Sequence, residues 1–362
     1  MVSGLVFVSW IRAQGRFVVV LTSISRIPVV SWVARALTDE PCVTELVLGG
    51  SPTTLFRPGG GGPWTAIVFL NGATRRGRHH PDVQRLARGL ARVGYLVLVP
   101  DLPGLAYGEI SDRTLAGTTA AARAALRRPD ARGGRVAFVG VSVGGTLALL
   151  AAAEPSLADR VSVIAGIAPY TDLVQAVRLA TTRTYTQNGR LLRYDPKPFL
   201  TLVVARSLVA GLTPGPEREL LLSRLLAVDD DAADPLAPLR RLPVARFSAE
   251  TRALVRLLLN KDPGRFDELY GALPARMHQR MRRLSPIVEA ERLRAPVELV
   301  SAPHDKYFPL SESRALVRRA PDARLTVTST LAHAIPRISL TDVADLLRFD
   351  AFAVRVLQRL SS

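Results

Sequence analysis

Three stretches follow one another without a break: Arg135-Val-Ala-Phe-Val139, Gly140-Val-Ser142-Val-Gly144-Gly145, and the Ala/Leu-rich run from Thr146 to Ala153. The first has the composition of a buried strand and the last that of a buried helix. A chain that turns from strand directly into helix makes a sharp elbow. Little space remains for side chains two residues either side of its tip, so glycines are required there. The tip is Ser142. The strand-to-helix setting, more than the bare Gly-x-Ser-x-Gly pattern, carries this reading.

Short apolar runs alternate with helical patterns on both sides of the elbow. Val43 to Leu48 and Thr53 to Phe56 read as opening strands, and Ala66-Ile-Val-Phe-Leu70 as a strand buried on both faces. A helix is predicted from Pro81 to Val93, a strand over Tyr95-Leu-Val-Leu-Val99, a helix from Thr114 to Leu126, and a strand from Val161 to Ile167. The pattern stops there. It resumes with a strand from Pro296 to Ser301, a helix from Ser311 to Ala320, a strand from Arg324 to Thr328 and a last helix from about Leu340 to Leu360. Such alternation predicts an α/β fold with a doubly wound, mostly parallel sheet, whose site lies beyond the carboxyl ends of its strands. Gly59-Gly-Gly-Gly-Pro63 lacks a following Lys-Ser/Thr and helix, so it reads as a turn and not a phosphate loop.

Residues 174–293 interrupt the sheet pattern and read as almost wholly helical. Leu200, Val203, Val204 and Leu208 share one face, and Leu254, Leu257 and Leu258 another, in a helix with Ser248 as N-cap. Asp229-Asp-Asp231 and the stretch from Pro235 to Pro243 mark a loop. An insertion that leaves the sheet after one strand and returns before the next predicts a helical cap over the strand ends. The expected organisation is an apolar helical segment (1–41), the first part of the core (42–173), the cap (174–293) and the second part of the core (294–362).

The net charge is +17 over 362 residues, but Lys occurs only at positions 197, 261 and 306, and the arginines are scattered. No basic block is interleaved with aromatics, so solvated faces are expected and nucleic acid is not. The single Cys42 allows no intrachain disulfide and fits a reducing, cytoplasmic setting. In residues 1–36 the apolar runs are broken by Arg12, Arg16 and Arg26, and none reaches the roughly 18 to 20 residues that span a bilayer. The Ala34-Arg-Ala36 triplet resembles a signal cleavage site, but Arg26 divides the run before it. Two readings stand for this segment: peripheral membrane contact anchored by Trp10 and Trp32, or packing on the protein body.

Serine is a poor nucleophile at neutral pH. It needs a histidine base, a group that orients that base, and donors for a developing oxyanion. Asp305, in Ser301-Ala-Pro-His-Asp-Lys-Tyr-Phe-Pro309, follows a late strand and is the candidate orienting acid; its bland reading is a turn residue ahead of the next helix. Of five histidines only His333, in Leu331-Ala-His-Ala-Ile-Pro336, lies beyond Asp305 and directly after the last strand. The order Ser142, Asp305, His333 supplies a catalytic triad. Val143, the residue after the serine, offers one oxyanion-hole N–H. The second is assigned to Ala73 in Asn71-Gly-Ala-Thr74, with Thr74 as the competing choice. His79-His80 lacks further ligands at metal spacing and reads as surface. No cofactor or metal is implied.

These features together resemble the α/β-hydrolase superfamily: the Gly140 to Gly144 elbow, the Pro100-Asp-Leu-Pro-Gly104 run after a strand, the Asp305 to Pro309 turn, and His333. The resemblance covers about residues 42–173 and 294–362, with the insertion where that family carries a cap. From Asn71 through the elbow the chain looks like the dienelactone-hydrolase-like branch. It has Ser142 where those enzymes have Cys, and Asn71-Gly72 where the family usually has His-Gly. The resemblance implies acyl transfer to water. The expected activity is hydrolysis of a carboxylic ester, with a small, lipophilic acyl substrate suggested by the apolar cap. Thioesters, amides or small peptides are the alternatives with the same triad, and a non-catalytic binding protein on this scaffold at a membrane surface is the alternative outside it.

Overall fold

The computed structural model describes residues 2–24, 36, 38–333, 335–336 and 342–361. Strands β1 (Cys42–Leu48), β2 (Ser51–Arg57), β3 (Trp64–Leu70), β4 (Tyr95–Pro100), β5 (Ala131–Val141), β6 (Val161–Ile167), β9 (Val297–Ser301) and β10 (Ala323–Val327) form one eight-stranded sheet in the order β1-β2-β4-β3-β5-β6-β9-β10. Only β1 and β2 run antiparallel to their neighbours; β4, β3, β5, β6, β9 and β10 are parallel. The continuous apolar runs take the central places. Every residue of β4 and β9 is buried, because helices cover both faces.

Each face has its own core. On one, Ala13, Phe17 and Val20 of α1 (Val2–Ile24), Val83, Ala87 and Leu90 of α2 (Pro81–Arg92), and Phe352, Val356 and Leu357 of the C-terminal helix pack against Ile67, Phe69, Val97 and Val139. On the other, Leu115 and Ala122 of α3 (Asp112–Leu126) and Leu147 and Leu150 of α4 (Val143–Ala153) pack against Val68, Leu98 and Phe138. Of the two readings of the N-terminal segment, packing on the body describes the inner face of α1. Its outer face leaves Phe7, Trp10, Ile11 and Val18 exposed. Among the described residues no helix is long and apolar enough to cross a membrane. Trp32, and Ala34 and Arg35 of the triplet, lie outside the described residues, as does the expected start of the last helix at Leu340.

The insertion departs from an all-helical reading. Helix α5 (Leu173–Thr182) is followed by an antiparallel hairpin, β7 (Thr184–Gln187) and β8 (Arg190–Arg193). The hairpin turns through Asn188 and Gly189, both at positive φ, which favours a tight two-residue turn over a helix. Helices α6 (Phe199–Val209), α7 (Pro216–Leu226), α8 (Ala237–Arg240), α9 (Ala249–Leu259), α10 (Phe266–Gly271), α11 (Ala275–Arg283) and α12 (Pro286–Glu289) follow. The short α8 lies inside the stretch read as a loop. Ser248 caps α9 by accepting from Thr251 N–H.

The insertion is tied to the sheet at both of its ends. Thr171 N–H and Asp172 N–H each donate to Glu312 Oε2 at 2.9 Å, on α13 (Ser311–Arg319). Thr171 O accepts from Ile287 N–H at 2.9 Å, and Tyr170 OH donates to Leu284 O at 3.2 Å. Deeper in, the buried Arg206 donates to Tyr107 O, Leu225 O and Val228 O, fixing α6 to the loop after β4.

Glu312 is fully enclosed, and burial, followed by the nearby Asp172 charge, pushes its carboxyl up to about 7. In the unfolded chain the same group titrates near 4.5. The folded chain therefore binds the extra proton between these values. Stability from this group is fully present below the unfolded value and is lost as pH rises towards 7. The loss amounts to about 3 kcal/mol. Glu312→Gln keeps an acceptor for the two N–H groups and cannot ionise. Urea unfolding at about pH 5 and about pH 8 is expected to show a smaller stability difference in this variant than in the wild type. Equal differences would refute the assignment.

Candidate active site

β5 runs into the elbow and α4 leaves it. Ser142 sits between them at φ 53°, ψ −123°, a conformation that costs on the order of 1–3 kcal/mol for a residue with a side chain. Its backbone is held on both sides. Ser142 N–H donates to Ile167 O at 2.7 Å, and its carbonyl accepts from Gly145 N–H at 2.9 Å. Although Ser142 occupies the N-cap position of α4, its side chain makes no capping bond, which leaves the hydroxyl free for chemistry. The flanking glycines are demanded by contact. A Cβ on Gly140 would meet Gly144 O at 2.5 Å, and one on Gly144 would meet Leu70 O at 2.0 Å.

Asp305 follows β9. Its Oδ1 accepts from Tyr307 N–H at 2.8 Å and Phe308 N–H at 3.1 Å. The same carboxylate meets His333 Nδ1, at 2.8 Å through Oδ2 and 3.0 Å through Oδ1. The turn reading and the partner reading of Asp305 thus describe one residue. Both side chains are buried. A carboxylate at Nδ1 favours the proton there and leaves Nε2 as the basic nitrogen. His333, like Ser142, has a positive φ, 60°. Two other aspartates of this region are engaged elsewhere: Asp322 pairs with Arg359, and Asp342 accepts from Asp345 N–H.

Two tyrosines that the sequence reading passed over complete this region. The Tyr307 ring stands edge-on to the His333 ring with centroids 4.6 Å apart. Burial, and then the charges of Asp305, Asp231 and Asp230, raise its hydroxyl above the usual phenol range. Tyr194, from the insertion, donates to Phe308 O at 3.0 Å and also to Asp305 O. Burial, and then Asp305, push its hydroxyl up as well, so it stays a proton donor that braces the Asp305 turn. Only the position of Tyr307, two residues after the candidate acid, offered a signal; Tyr194 had none.

Beside the elbow, Val143 opens α4, and the first N–H groups of a helix lack intrahelical acceptors. The loop after β3 lies against the elbow: a Cβ on Gly72 would stand 3.4 Å from Ser142 Cβ. Asn71 Nδ2 donates to Gly72 O at 2.8 Å and stiffens that loop. Ala73 follows. A Cβ on Gly108 would touch Ala73 Cβ at 3.8 Å and Val203 Cγ2 at 2.9 Å, so α6 of the insertion passes close to this loop. Phe199, also on α6, packs edge-on against Tyr307 at 6.4 Å. Thr74 O accepts from Gly77 N–H in the turn beyond. His80 caps α2 through Nδ1, accepting from Asp82 N–H, and His79 lies in the turn before it. Among the described residues no three His, Cys, Asp or Glu side chains cluster in a way that could hold a metal. The Ser142 hydroxyl and the His333 ring make no hydrogen bond to each other in the structure; in hydrolases such contacts commonly tighten only in the Michaelis complex.

An elbow serine and an Asp-bound histidine beyond the carboxyl ends of a parallel sheet call for comparison with known families. The model of the alpha/beta hydrolase family matches residues 67–337. The chain belongs to that family. Several solved structures are similar to this alpha/beta hydrolase. An acylaminoacyl peptidase in complex with Z-Gly-Gly-Phe-chloromethyl ketone is similar with a TM-score of 0.50 and 14% identity, over 90% of this chain and 42% of that one. Est1E from Butyrivibrio proteoclasticus is similar with a TM-score of 0.48 and 13% identity, over 88% of this chain and 99% of that one. A 2,6-dihydroxy-pseudo-oxynicotine hydrolase gives 0.47 and 17%, over 91% and 71%. A search among curated proteins finds no significant match.

Proposed function

We propose that the protein is a serine hydrolase that cleaves a carboxylic ester through an acyl-enzyme. The observation that carries this reading is the buried His333, held through Nδ1 on an Asp305 carboxylate that two backbone N–H groups fix in place. Ser142 Oγ attacks the ester carbonyl carbon as His333 Nε2 takes its proton. The tetrahedral oxyanion is received by Val143 N–H and Ala73 N–H. It collapses, the carbon–oxygen bond to the alcohol breaks, and the alcohol leaves with the proton from His333. Water then repeats the sequence on the acyl-enzyme, releasing the acid and restoring Ser142. The strained elbow supports the nucleophile assignment, because strain of this kind persists only where the surrounding structure over-determines it.

The apolar surroundings support a lipophilic substrate. Phe199 and Val203 of α6 come close to Tyr307 and to the Ala73 loop. Each methylene buried there is worth about 0.8 kcal/mol, so kcat/KM for a series of p-nitrophenyl esters is expected to rise about fourfold per added carbon until the space is filled. A fluorophosphonate should label wild-type protein on the peptide containing Ser142. Absence of that adduct on folded protein would sink the serine-hydrolase reading. An adduct with turnover flat or falling from acetyl to octanoyl esters would sink only the lipophilic part.

A further inference from the structure

Strand β10 is the last of the sheet and pairs only with β9 among the described residues. Asp322 O and Thr328 N–H, at either end of it, both bond to the β9 side. Bonding direction alternates along a strand, so Ala323, Leu325 and Val327 turn their N–H and C=O groups outward. This open edge is the floor of a groove of about 920 Å³. One wall is α13, through Arg314, Val317 and Arg318. The other is the C-terminal helix α14 (Val343–Ser361), through Arg348, Ala351 and Arg355. Arg324 rises from the floor.

Five arginines around one sheet edge need an account. Arg355 bonds Glu298 at 3.0 Å and Thr326 Oγ1 at 2.8 Å, and Arg348 bonds Asp345 at 2.6 Å. The side chains of Arg314, Arg318 and Arg324 are exposed and have no ion-pair or hydrogen-bond partner among the described residues. A positive charge on an edge strand does discourage edge-to-edge pairing. A second copy of this chain would set Arg324 and both arginine-bearing walls against their own duplicates, in a molecule of net charge +17. The same charges attract an acidic strand. Side chains of a strand laid along β10 would alternate between the two walls, and each wall presents free or partly free guanidinium groups. Acidic residues would therefore be received at consecutive positions, not only at every second one.

We propose that the β10 edge, between Arg314/Arg318 and Arg324/Arg348, is a docking site for an extended acidic segment of another protein, which adds to the sheet as a ninth strand. Main-chain bonds to Ala323, Leu325 and Val327 would give affinity, and the arginines would select for acidic side chains. The site lies at the sheet edge and is independent of the reaction proposed for Ser142.

The test uses the full chain and a fluorescent peptide, acetyl-Thr-Glu-Asp-Val-Glu-Asp-Thr-amide, followed by anisotropy at low salt. Binding is expected, and Arg314→Glu with Arg318→Glu should weaken it at least about tenfold. Both residues are exposed and have no ion-pair or hydrogen-bond partner among the described residues, so ester turnover should not change, and thermal stability should fall by no more than the small cost of an anion in the last turn of α13. A second peptide of the same sequence carries an N-methyl group on every amide, which keeps the charges and blocks both edges; it should not bind. Equal binding of the methylated and unmethylated peptides would mean attraction of any polyanion, and would overturn strand addition. No binding to wild type, or binding unaltered by charge reversal, would overturn the site. Concentration-dependent self-association that disappears in the double variant would assign the edge to a second copy instead.

Discussion

Ser142→Ala is expected to lower kcat/KM for a good ester substrate by at least about four orders of magnitude, roughly 5 kcal/mol of transition-state stabilisation. In the proposed mechanism the substitution removes the atom that would form the acyl bond and leaves the proposed oxyanion donors in place, so what remains is the weak catalysis of the pocket itself. The fold should be untouched. The hydroxyl makes no capping bond to α4, and Ala carries the same Cβ into the same φ of 53°. The backbone bonds from Ser142 N–H to Ile167 and from Gly145 N–H to Ser142 O do not involve the side chain. The measurement is a pair: steady-state kinetics and a thermal melt on the same preparation. Lost turnover with an unchanged Tm fits a nucleophile. Turnover within about tenfold of wild type would show that Ser142 is not the attacking group.

Gly144→Ala should do the reverse and remove the fold. The added Cβ would lie 2.0 Å from Leu70 O, 2.6 Å from Leu70 C and 2.7 Å from Asn71 O. All three are backbone atoms at the end of β3, so no side chain can swing aside. Relief requires α4 to part from the central strand, which opens the contacts of Leu147 and Leu150 with the core. The expected cost exceeds about 4 kcal/mol, a large share of what a domain has in reserve. Insoluble protein, or loss of the cooperative melt, is the expected result. Gly145→Ala is the control, since its added Cβ would come no closer than 3.2 Å to Pro169 Cβ and 3.3 Å to Gly140 O, and a shift of a few tenths of an ångström relieves both. A Gly144→Ala protein that melts within a few degrees of wild type would show that the elbow is looser than its geometry implies.

Both predictions rest on a stretch whose meaning is visible in the chain itself. A strand and a helix adjacent in sequence, with glycines at their crossing, leave one geometry available to the residue at the tip, because the clash that excludes side chains is local. The parallel sheet is legible for a similar reason. Runs such as Ala66 to Leu70 and Tyr95 to Val99 are apolar on both faces, and only strands covered from two sides bury such runs. The order of Ser142, Asp305 and His333 then follows the strands that precede them.

Pairing over distance is a different matter. The bond between His333 Nδ1 and Asp305 joins residues 28 apart, and nothing in either local sequence states that the two buried groups meet. Tyr194 braces the Asp305 turn from the insertion, 111 residues earlier, and its surroundings read only as part of an almost wholly helical stretch. The hairpin from Thr184 to Arg193 was hidden because its strands are short, largely exposed and paired only with each other, so no alternating burial marks them. Glu312 reads as one charge on an amphipathic helix; packing of the Thr171–Asp172 entry to the insertion encloses it. Sequence by itself determined the sheet, the elbow and the order of the candidate catalytic residues, because these follow from periodicity and local sterics. The tertiary structure alone decided how the insertion is fastened, which tyrosines stand beside Asp305 and His333, and which sheet edge stays open among the described residues. Those outcomes depend on which groups lose water together, and that is a property of the packed chain.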